Sequence, residues 1–198
     1  QGRAIVETFY ANDHARSAEL LAQWTRDHPH DALAFERLGI ALTNVQRRAE
    51  AGQAFRRALA LDTVRASAHA GLATLGLAEG RWADAAASLE RAIALGLETS
   101  LTRGQLGYAQ IVQGRYEEGA RNYERSFELG IPPGNGRGVA AYNLACAYAR
   151  LGRADDAFRM LDVAVENGMR RREQFEGDED LASLRGDPRF RRLMERLS

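Results

Sequence analysis

The sequence is organised by an internal repeat of 34 residues, and this period constrains the fold more than any other feature. The tripeptide Gly80-Arg81-Trp82 recurs 34 positions later as Gly114-Arg115-Tyr116. The same step links residues of similar size in five columns: Leu38/Leu72/Leu106, Gly39/Ala73/Gly107, Ala51/Ala85/Gly119, Phe55/Leu89/Tyr123 and Ala58/Ala92/Ser126. A fourth copy follows after four extra residues. A fixed period of this length indicates an array in which each unit is buried by its neighbours.

The columns within one copy predict a pair of antiparallel helices joined by a tight turn. Small residues at Gly39 and Ala51 allow the two helix axes to approach closely, and large residues such as Leu38 and Phe55 fill the remaining space. Gly80, Gly114 and Gly152 stand where the first helices should end, and glycine tolerates the positive φ found there. We therefore expect ten or more helices and no sheet.

These columns resemble the tetratricopeptide-repeat (TPR) family. The copy that begins at Ala32 carries six of the family's residues: Phe35, Leu38, Gly39, Ala51, Phe55 and Ala58. Pro29 falls at the proline position of a preceding repeat, whose second helix is expected at about residues 14–26. Gln46 and Gln110 depart from the pattern, which usually has Gly and Tyr there. The resemblance spans residues 4–171 and implies an all-α fold, a right-handed TPR superhelix of antiparallel helix pairs.

The resemblance divides the chain into seven segments. A partial N-terminal repeat at residues 1–31 is followed by repeats at 32–65, 66–99 and 100–133. Residues 132–138 are rich in Pro and Gly, and residues 134–137 within them are expected to form an inserted connector before a fourth repeat at 138–171. Residues 172–198 are expected to form a helical cap, in which Asp187-Pro188 begins a helix with Phe190, Leu193 and Leu197 on one face.

Composition argues against several classes of partner. Acidic and basic residues number 27 each, so the charge gives no reason to expect binding of nucleic acid or of an anionic membrane. No apolar run is long enough to predict membrane insertion. All 27 basic residues are arginine, which indicates a GC-rich bacterial genome. The missing initiator Met suggests a fragment or processed form, whose compartment, bacterial cytoplasm or periplasm, stays open.

Three groups of residues invite a chemical interpretation, and each has a simpler structural one. His28-Pro29-His30-Asp31 suggests a metal site, but Asp31 also suits a helix N-cap between repeats. Cys146 occupies a small-residue position and is expected to be a buried, unreactive thiol. The acidic residues 176–180 lie near three arginines, as in a solvated surface. We therefore expect no catalytic residues, no metal and no cofactor.

The resemblance implies a binding groove lined by the first helix of each repeat. Family positions 5, 9, 12 and 13, with Leu101 at position 2, place twelve residues there: Glu36, Ile40, Asn44, Thr74, Leu77, Leu101, Gly104, Tyr108, Ile111, Val112, Tyr142 and Arg150. Gly104 is expected to leave a gap beside Tyr108, with Tyr142 and Arg150 flanking it. The Lys and Asn clamp that some family members use for a C-terminal carboxylate is absent.

These observations predict a protein- or peptide-binding module that is not an enzyme and that belongs to a larger bacterial protein or complex. A hydrophobic anchor with an acidic neighbour is the expected ligand. The alternative is a self-assembly or spacer module, in which the groove is filled by the chain itself or by a second copy. A homo-oligomer is therefore one of the expected possibilities.

Overall fold

The computed structural model describes residues 13–197, and within that range every regular element is a helix. None of these helices has the length and apolar character required to cross a membrane. The expected all-helical fold is confirmed for this range. The described chain divides after Glu98 into two compact units.

The first unit holds five helices: α1 His14–Asp27, α2 Ala32–Asn44, α3 Arg48–Leu61, α4 Ala66–Ala78 and α5 Trp82–Ala94. The pairs α2/α3 and α4/α5 are hairpins, and α1 packs on α2. Helices α2 and α4 begin at the first residues of the predicted repeats. Helix α1 matches the expected second helix of a preceding repeat, with Leu21 buried; the rest of that partial repeat, residues 1–12, lies outside the described residues.

One N-cap carboxylate and one stacked ring shape the chain between α1 and α2. Asp31 Oδ1 accepts a hydrogen bond from the backbone N–H of Ala34 at 3.0 Å, and Asp31 Oδ2 accepts one from Trp24 Nε1 at 3.1 Å. The His28 ring stacks on Trp24 with centroids 3.9 Å apart. Asp13 caps α1 in the same way as Asp31 caps α2. The His28–Asp31 segment is thus a turn whose polar groups hold two helices together.

The centre of the first unit is the ring of Phe55, which is 1% exposed. A Cβ added to Gly39 of α2 would lie 2.6 Å from Phe55 Cδ1. A Cβ added to Gly71 of α4 would lie 2.3 Å from Phe55 Cζ. The Phe55 ring, which belongs to α3, therefore packs against two glycine backbones, one from its own hairpin and one from the next. This contact joins neighbouring repeats as the sequence columns predict.

The turns within the hairpins use positive φ at one residue. Gly80, Gly114 and Gly152 have φ of 72°, 76° and 73°, which confirms the role predicted for them. Gln46 occupies the same place in the first full hairpin with φ of 63°. A side chain at this φ crowds the following carbonyl, which is why glycine is favoured there.

The second unit holds two hairpins and a C-terminal segment. Its elements are α6 Ser100–Val112, α7 Tyr116–Glu128, α8 Asn135–Arg150, α9 Ala154–Glu166, α10 Arg172–Gly177, a 3-10 helix Glu179–Leu184 and α11 Pro188–Glu195. The hairpins are α6/α7 and α8/α9. Helix α6 begins at the predicted repeat start, and Asp187 caps α11 through the N–H of Arg189, as expected.

Helix α8 begins three residues before the expected start of the fourth repeat, within the segment assigned to the connector. Gly134 adopts φ of 118°, and its N–H donates to Asn167 Oδ1 at 3.1 Å. This contact fixes the backbone directly before Asn135, so the first helical turn forms despite Gly136. Pro132 and Pro133 lie before the connector, in the link between α7 and α8, and do not interrupt α8.

Candidate functional site

Large apolar side chains that remain exposed are concentrated on the first helices of the hairpins. The described residues expose seven of them, and five lie on α2, α6 or α8: Leu33, Leu101, Tyr108, Val112 and Val139. The other two, Val64 and Leu129, lie outside the first helices. Scattered exposed apolar residues are normal, but a concentration on one class of helix marks a candidate interaction surface.

Four of these residues form one surface in the second unit, which we name the α6–α8 face. Leu101, Tyr108 and Val112 are spaced by seven and four residues and therefore share one side of α6. Their exposed fractions are 68%, 38% and 44%. Val139, on the neighbouring helix α8, is the repeat equivalent of Leu101 and is 44% exposed. Three of the twelve predicted groove residues are thus presented together.

Two other predicted groove residues of α6 point toward α7. A Cβ on Gly104 would lie 3.3 Å from Ser126 Oγ and 3.8 Å from Tyr123 Cε1, so the missing side chain makes room for α7 and leaves no gap in the face. Ile111 is 8% exposed, and its Cγ1 lies 2.6 Å from where a Cβ of Gly119 would be. Both residues support the face from beneath by closing the α6/α7 hairpin.

A polar network lies under the same hairpin. Arg103 Nη1 donates to Asn122 Oδ1 at 2.8 Å, and Asn122 Nδ2 donates to Gln110 Oε1 at 2.7 Å. Gln110 and Asn122 are buried, so each amide is satisfied by the other helix. Gln110, which stands where the TPR pattern usually has Tyr, is thus hydrogen-bonded to the second helix of its own hairpin. This pairing fixes α6 against α7 and thereby fixes the direction in which Tyr108 projects.

The predicted groove residues of the first unit form a more closed surface. Glu36 is buried, and its carboxylate lies 3.8 Å from Arg65. Burial raises the pKa of Glu36, and the nearby guanidinium of Arg65 opposes that rise. Ile40 and Leu77 are half-buried, while Asn44 and Thr74 are exposed. Asn44 contacts the ring nitrogen of His14 at 3.3 Å.

In the fourth repeat, the predicted groove positions are covered by the chain's own C-terminal segment, residues 172–197. The Tyr142 hydroxyl donates to Asp178 Oδ2 at 2.6 Å, and the Phe175 ring meets the Tyr142 ring edge-on with centroids 5.2 Å apart. Arg150 lies 3.8 Å from Asp180 and stacks over Tyr116. Tyr142 is therefore 4% exposed, and Arg150 already has an acidic neighbour within the chain.

The same covering brings Cys146, Asp178 and Asp180 together, with candidate ligand atoms within 4.8 Å of one another. Burial, and then the charges of Asp178 and Asp180, raise the pKa of the Cys146 thiol. The thiol lies 3.7 Å from Asp178 Oδ2 and donates to it. Because metal binding and nucleophilic attack both need the thiolate, this environment opposes either role. The cluster attaches the C-terminal segment to α8.

The C-terminal segment also covers the outer surface of α9. Arg189 Nη1 lies 2.6 Å from an Asp155 carboxylate oxygen, and its guanidinium stacks 4.3 Å from the centroid of Phe158. Six apolar side chains of the segment are buried, namely Phe175, Leu181, Leu184, Phe190, Leu193 and Met194, whereas Leu197, which was predicted to share their face, is half-buried. Helical spacing predicted that Phe190 and Leu193 share one face of α11, but it gave no indication of the contacts of Phe175 and Asp178 with α8. Those contacts depend on how an irregular segment folds back, which no periodic pattern encodes.

The fold is that of solved TPR proteins. The structure is similar to that of YrrB, a TPR protein with an unusual peptide-binding site, with a TM-score of 0.76, 18% identity and coverage of 91% of each chain. It is similar to MamA with a TM-score of 0.69, 20% identity and coverage of 81% of this chain and 92% of MamA. For MamA 41-end from Desulfovibrio magneticus RS-1 the TM-score is 0.70 at 18% identity, covering 83% and 90%. No protein-family model and no curated protein matches the sequence.

Proposed function

We propose that the chain is a non-catalytic interaction module that binds a peptide or protein segment on the α6–α8 face. The observation that carries this proposal is the joint exposure of Leu101, Tyr108, Val112 and Val139 on two neighbouring first helices. An aromatic ring among aliphatic side chains is a typical anchor site at interfaces. The similarity to a TPR protein with a peptide-binding site supports the same class of function.

The C-terminal segment limits where a partner binds. Returning Phe175, Leu181 and Leu184 to water would cost roughly 1.5–3 kcal/mol for each side chain, since each is at most 2% exposed. A peptide of ordinary affinity does not supply that free energy in addition to its own binding cost. We therefore infer that the segment stays in place as the end cap of the array. A partner then lies along α6 and the first turns of α8.

The chemistry of the face favours a hydrophobic anchor over a charged one. Arg150 already interacts with Asp180 and Tyr116, so a partner carboxylate would compete with contacts inside the chain. Glu36 and Tyr142, two other polar residues predicted to contact the ligand, are buried. Apolar burial at Leu101 and Tyr108 is the main source of affinity in this proposal, and acidic residues of the partner contribute less.

A second candidate function is a spacer or self-assembly module whose groove is already filled. Residues 174–184 cover Tyr142 and Cys146, so the groove at α8 is already filled by the chain itself, as this second function requires. The exposed side chains on α6 support self-assembly only if a second copy of the chain covers them. Light scattering during size-exclusion chromatography separates the two functions, because self-assembly through this face requires a concentration-dependent dimer.

Selection from a random peptide library tests the proposal directly. The full chain is immobilised beside two variants, the double change Leu101→Asp and Val112→Asp, and Val64→Asp as the matched control. Val64 is 59% exposed but lies in the turn between α3 and α4. We expect enriched peptides to carry a large apolar residue, to bind the control normally and to lose binding to the double variant. Peptides that bind all three proteins equally would place the site elsewhere.

A further inference from the structure

The first unit contains an open cleft of about 540 Å³ that the repeat pattern does not predict. Helices α1 and α3 form its walls, and α2 forms its floor through Phe35, Leu38 and Leu42. Helical spacing places these three residues on the side of α2 opposite Glu36 and Ile40. The cleft is therefore distinct from the predicted groove of this unit.

The walls of the cleft have the length of a short helix. Residues from Ala18 to Arg26 line it along α1, and residues from Arg47, the N-cap of α3, to Arg57 line it along α3. At 1.5 Å per residue these stretches are about 12 and 15 Å long, which is two to three helical turns. Small side chains, Ala18, Ala22 and Ala54, face the cleft and leave room for an incoming apolar side chain. An elongated apolar channel between two helices suits an amphipathic helix.

The charges at one end of the cleft are neutralised within the chain. Arg47 and Glu50 pair at 2.6 Å, and Arg16 and Glu19 pair at 2.8 Å. Glu19 and Arg47 both line the cleft at this end, so the two pairs lie near each other. A ligand therefore meets no uncompensated charge at this end.

The other end is cationic. Arg57 Nη2 donates to the carbonyl of Pro29 at 3.0 Å, so Arg57 lies beside the turn that follows Arg26. The Arg57 guanidinium is also held 5.9 Å from the centroid of Phe35, at the edge of the apolar floor. Within residues 13–197, neither Arg26 nor Arg57 is paired with a carboxylate. Two arginines thus stand at one end of an apolar channel with their charges available to a ligand.

We propose that this cleft is a second binding site, which accepts a short amphipathic helix of a protein partner. The apolar side of the helix lies on Ala22 and Phe35, which are half-buried, above the buried side chains of Leu38 and Leu42. An acidic residue at one end of the helix pairs with Arg26 and Arg57. The distribution of charge sets the direction of the bound helix, because only one end of the cleft is cationic.

Titration of the full chain with synthetic peptides tests this site. The first probe is a 14-residue helical peptide with leucines on one face and two aspartates at one end. The second probe replaces both aspartates with asparagine, and laurate is the third. Backbone amide shifts in two-dimensional NMR locate the bound probe, and the same titration gives its Kd. We expect the acidic peptide to shift α1, α2 and α3 and to bind more tightly than the asparagine peptide.

Charge reversal in the cleft provides the decisive comparison. The double variant Arg26→Glu and Arg57→Glu should weaken the acidic peptide by roughly tenfold, the effect of losing two rim charge pairs. The matched control is Arg56→Glu, which replaces an exposed arginine of α3 that does not line the cleft. A second control, Tyr108→Ala, alters only the α6–α8 face. Both should bind the acidic peptide normally.

Four results would overturn the proposal. The acidic peptide could produce no shifts, or it could shift α6 and α8 instead of the cleft. Laurate could occupy the cleft while the peptides do not, which would assign the site to a fatty acid. Equal Kd values for the asparagine and aspartate peptides on all variants would also contradict it. Circular dichroism of each variant checks that it is folded, and Ala22→Trp, which fills the cleft without a charge change, gives an independent test of occupancy.

Discussion

The contact of Phe55 with two glycines predicts that Gly71→Ala destabilises the chain although alanine is the better helix former. The new methyl would lie 2.3 Å from Phe55 Cζ, more than 1 Å inside the usual carbon contact of about 3.5–4.0 Å. The ring does not move away freely, because it is 1% exposed and also packs against the backbone at Gly39. Overpacking of this kind costs about 1–3 kcal/mol, and the helix propensity of alanine returns up to about 1 kcal/mol.

The net expectation is a loss of about 1–2 kcal/mol, which lowers the Tm by roughly 2–8 °C in a chain of this length. Chemical denaturation followed by circular dichroism measures it. Gly136→Ala is the matched control, since an added Cβ there meets nothing within 4 Å, and it should leave the free energy of unfolding unchanged or slightly raised. Combining Gly71→Ala with Phe55→Leu should show a coupling of at least about 0.5 kcal/mol. A Gly71→Ala protein as stable as Gly136→Ala, with no coupling to Phe55, would refute the reasoning.

Three further predictions follow from single contacts. Gln46→Gly should raise the free energy of unfolding by up to about 1 kcal/mol by relieving the positive φ, and denaturation midpoints that fall would contradict this. Cys146 should resist a thiol reagent at pH 8 in the native protein and react on unfolding, because burial raises its pKa; rapid native labelling would show an accessible thiolate. Deleting residues 172–198 should expose α8 and α9 and cause aggregation or loss of cooperative melting, whereas a monomeric truncation with unchanged Tm would show the segment to be dispensable.

The periodic parts of the fold were predictable because each column has a local steric cause. Helices α2, α4 and α6 begin at the expected residues, and the positive φ at Gly80 and Gly114 follows from the same columns. The early start of α8 was not predictable, since it depends on the contact of Gly134 with Asn167, which is 33 residues away. Local sequence indicates that a turn is present, but tertiary contacts decide where the next helix begins.

Helical spacing predicted which exposed side chains of α6 lie together, but not which of the other proposed groove residues are buried. Helical spacing correctly placed Leu101, Tyr108 and Val112 on one side of α6, because that relation depends only on the helix period. The burial of Glu36 and Tyr142 required knowledge of neighbouring residues, Arg65 in one case and Asp178 in the other. The α1–α3 cleft was missed because its lining comes from three helices and belongs to no single column.

Parallel measurement of stability and affinity for Tyr108→Ala tests the central claim most directly. Tyr108 is 38% exposed, so a residue that anchors a partner should change the Tm little when truncated. Affinity for a peptide selected on the wild-type chain should fall by roughly 1–3 kcal/mol, the range of interface hot spots. The opposite result would be a stability loss of roughly 3–5 kcal/mol, as for a core aromatic, with peptide affinity unchanged. That outcome would remove Tyr108 from the binding surface and contradict the assignment of the α6–α8 face as the partner site.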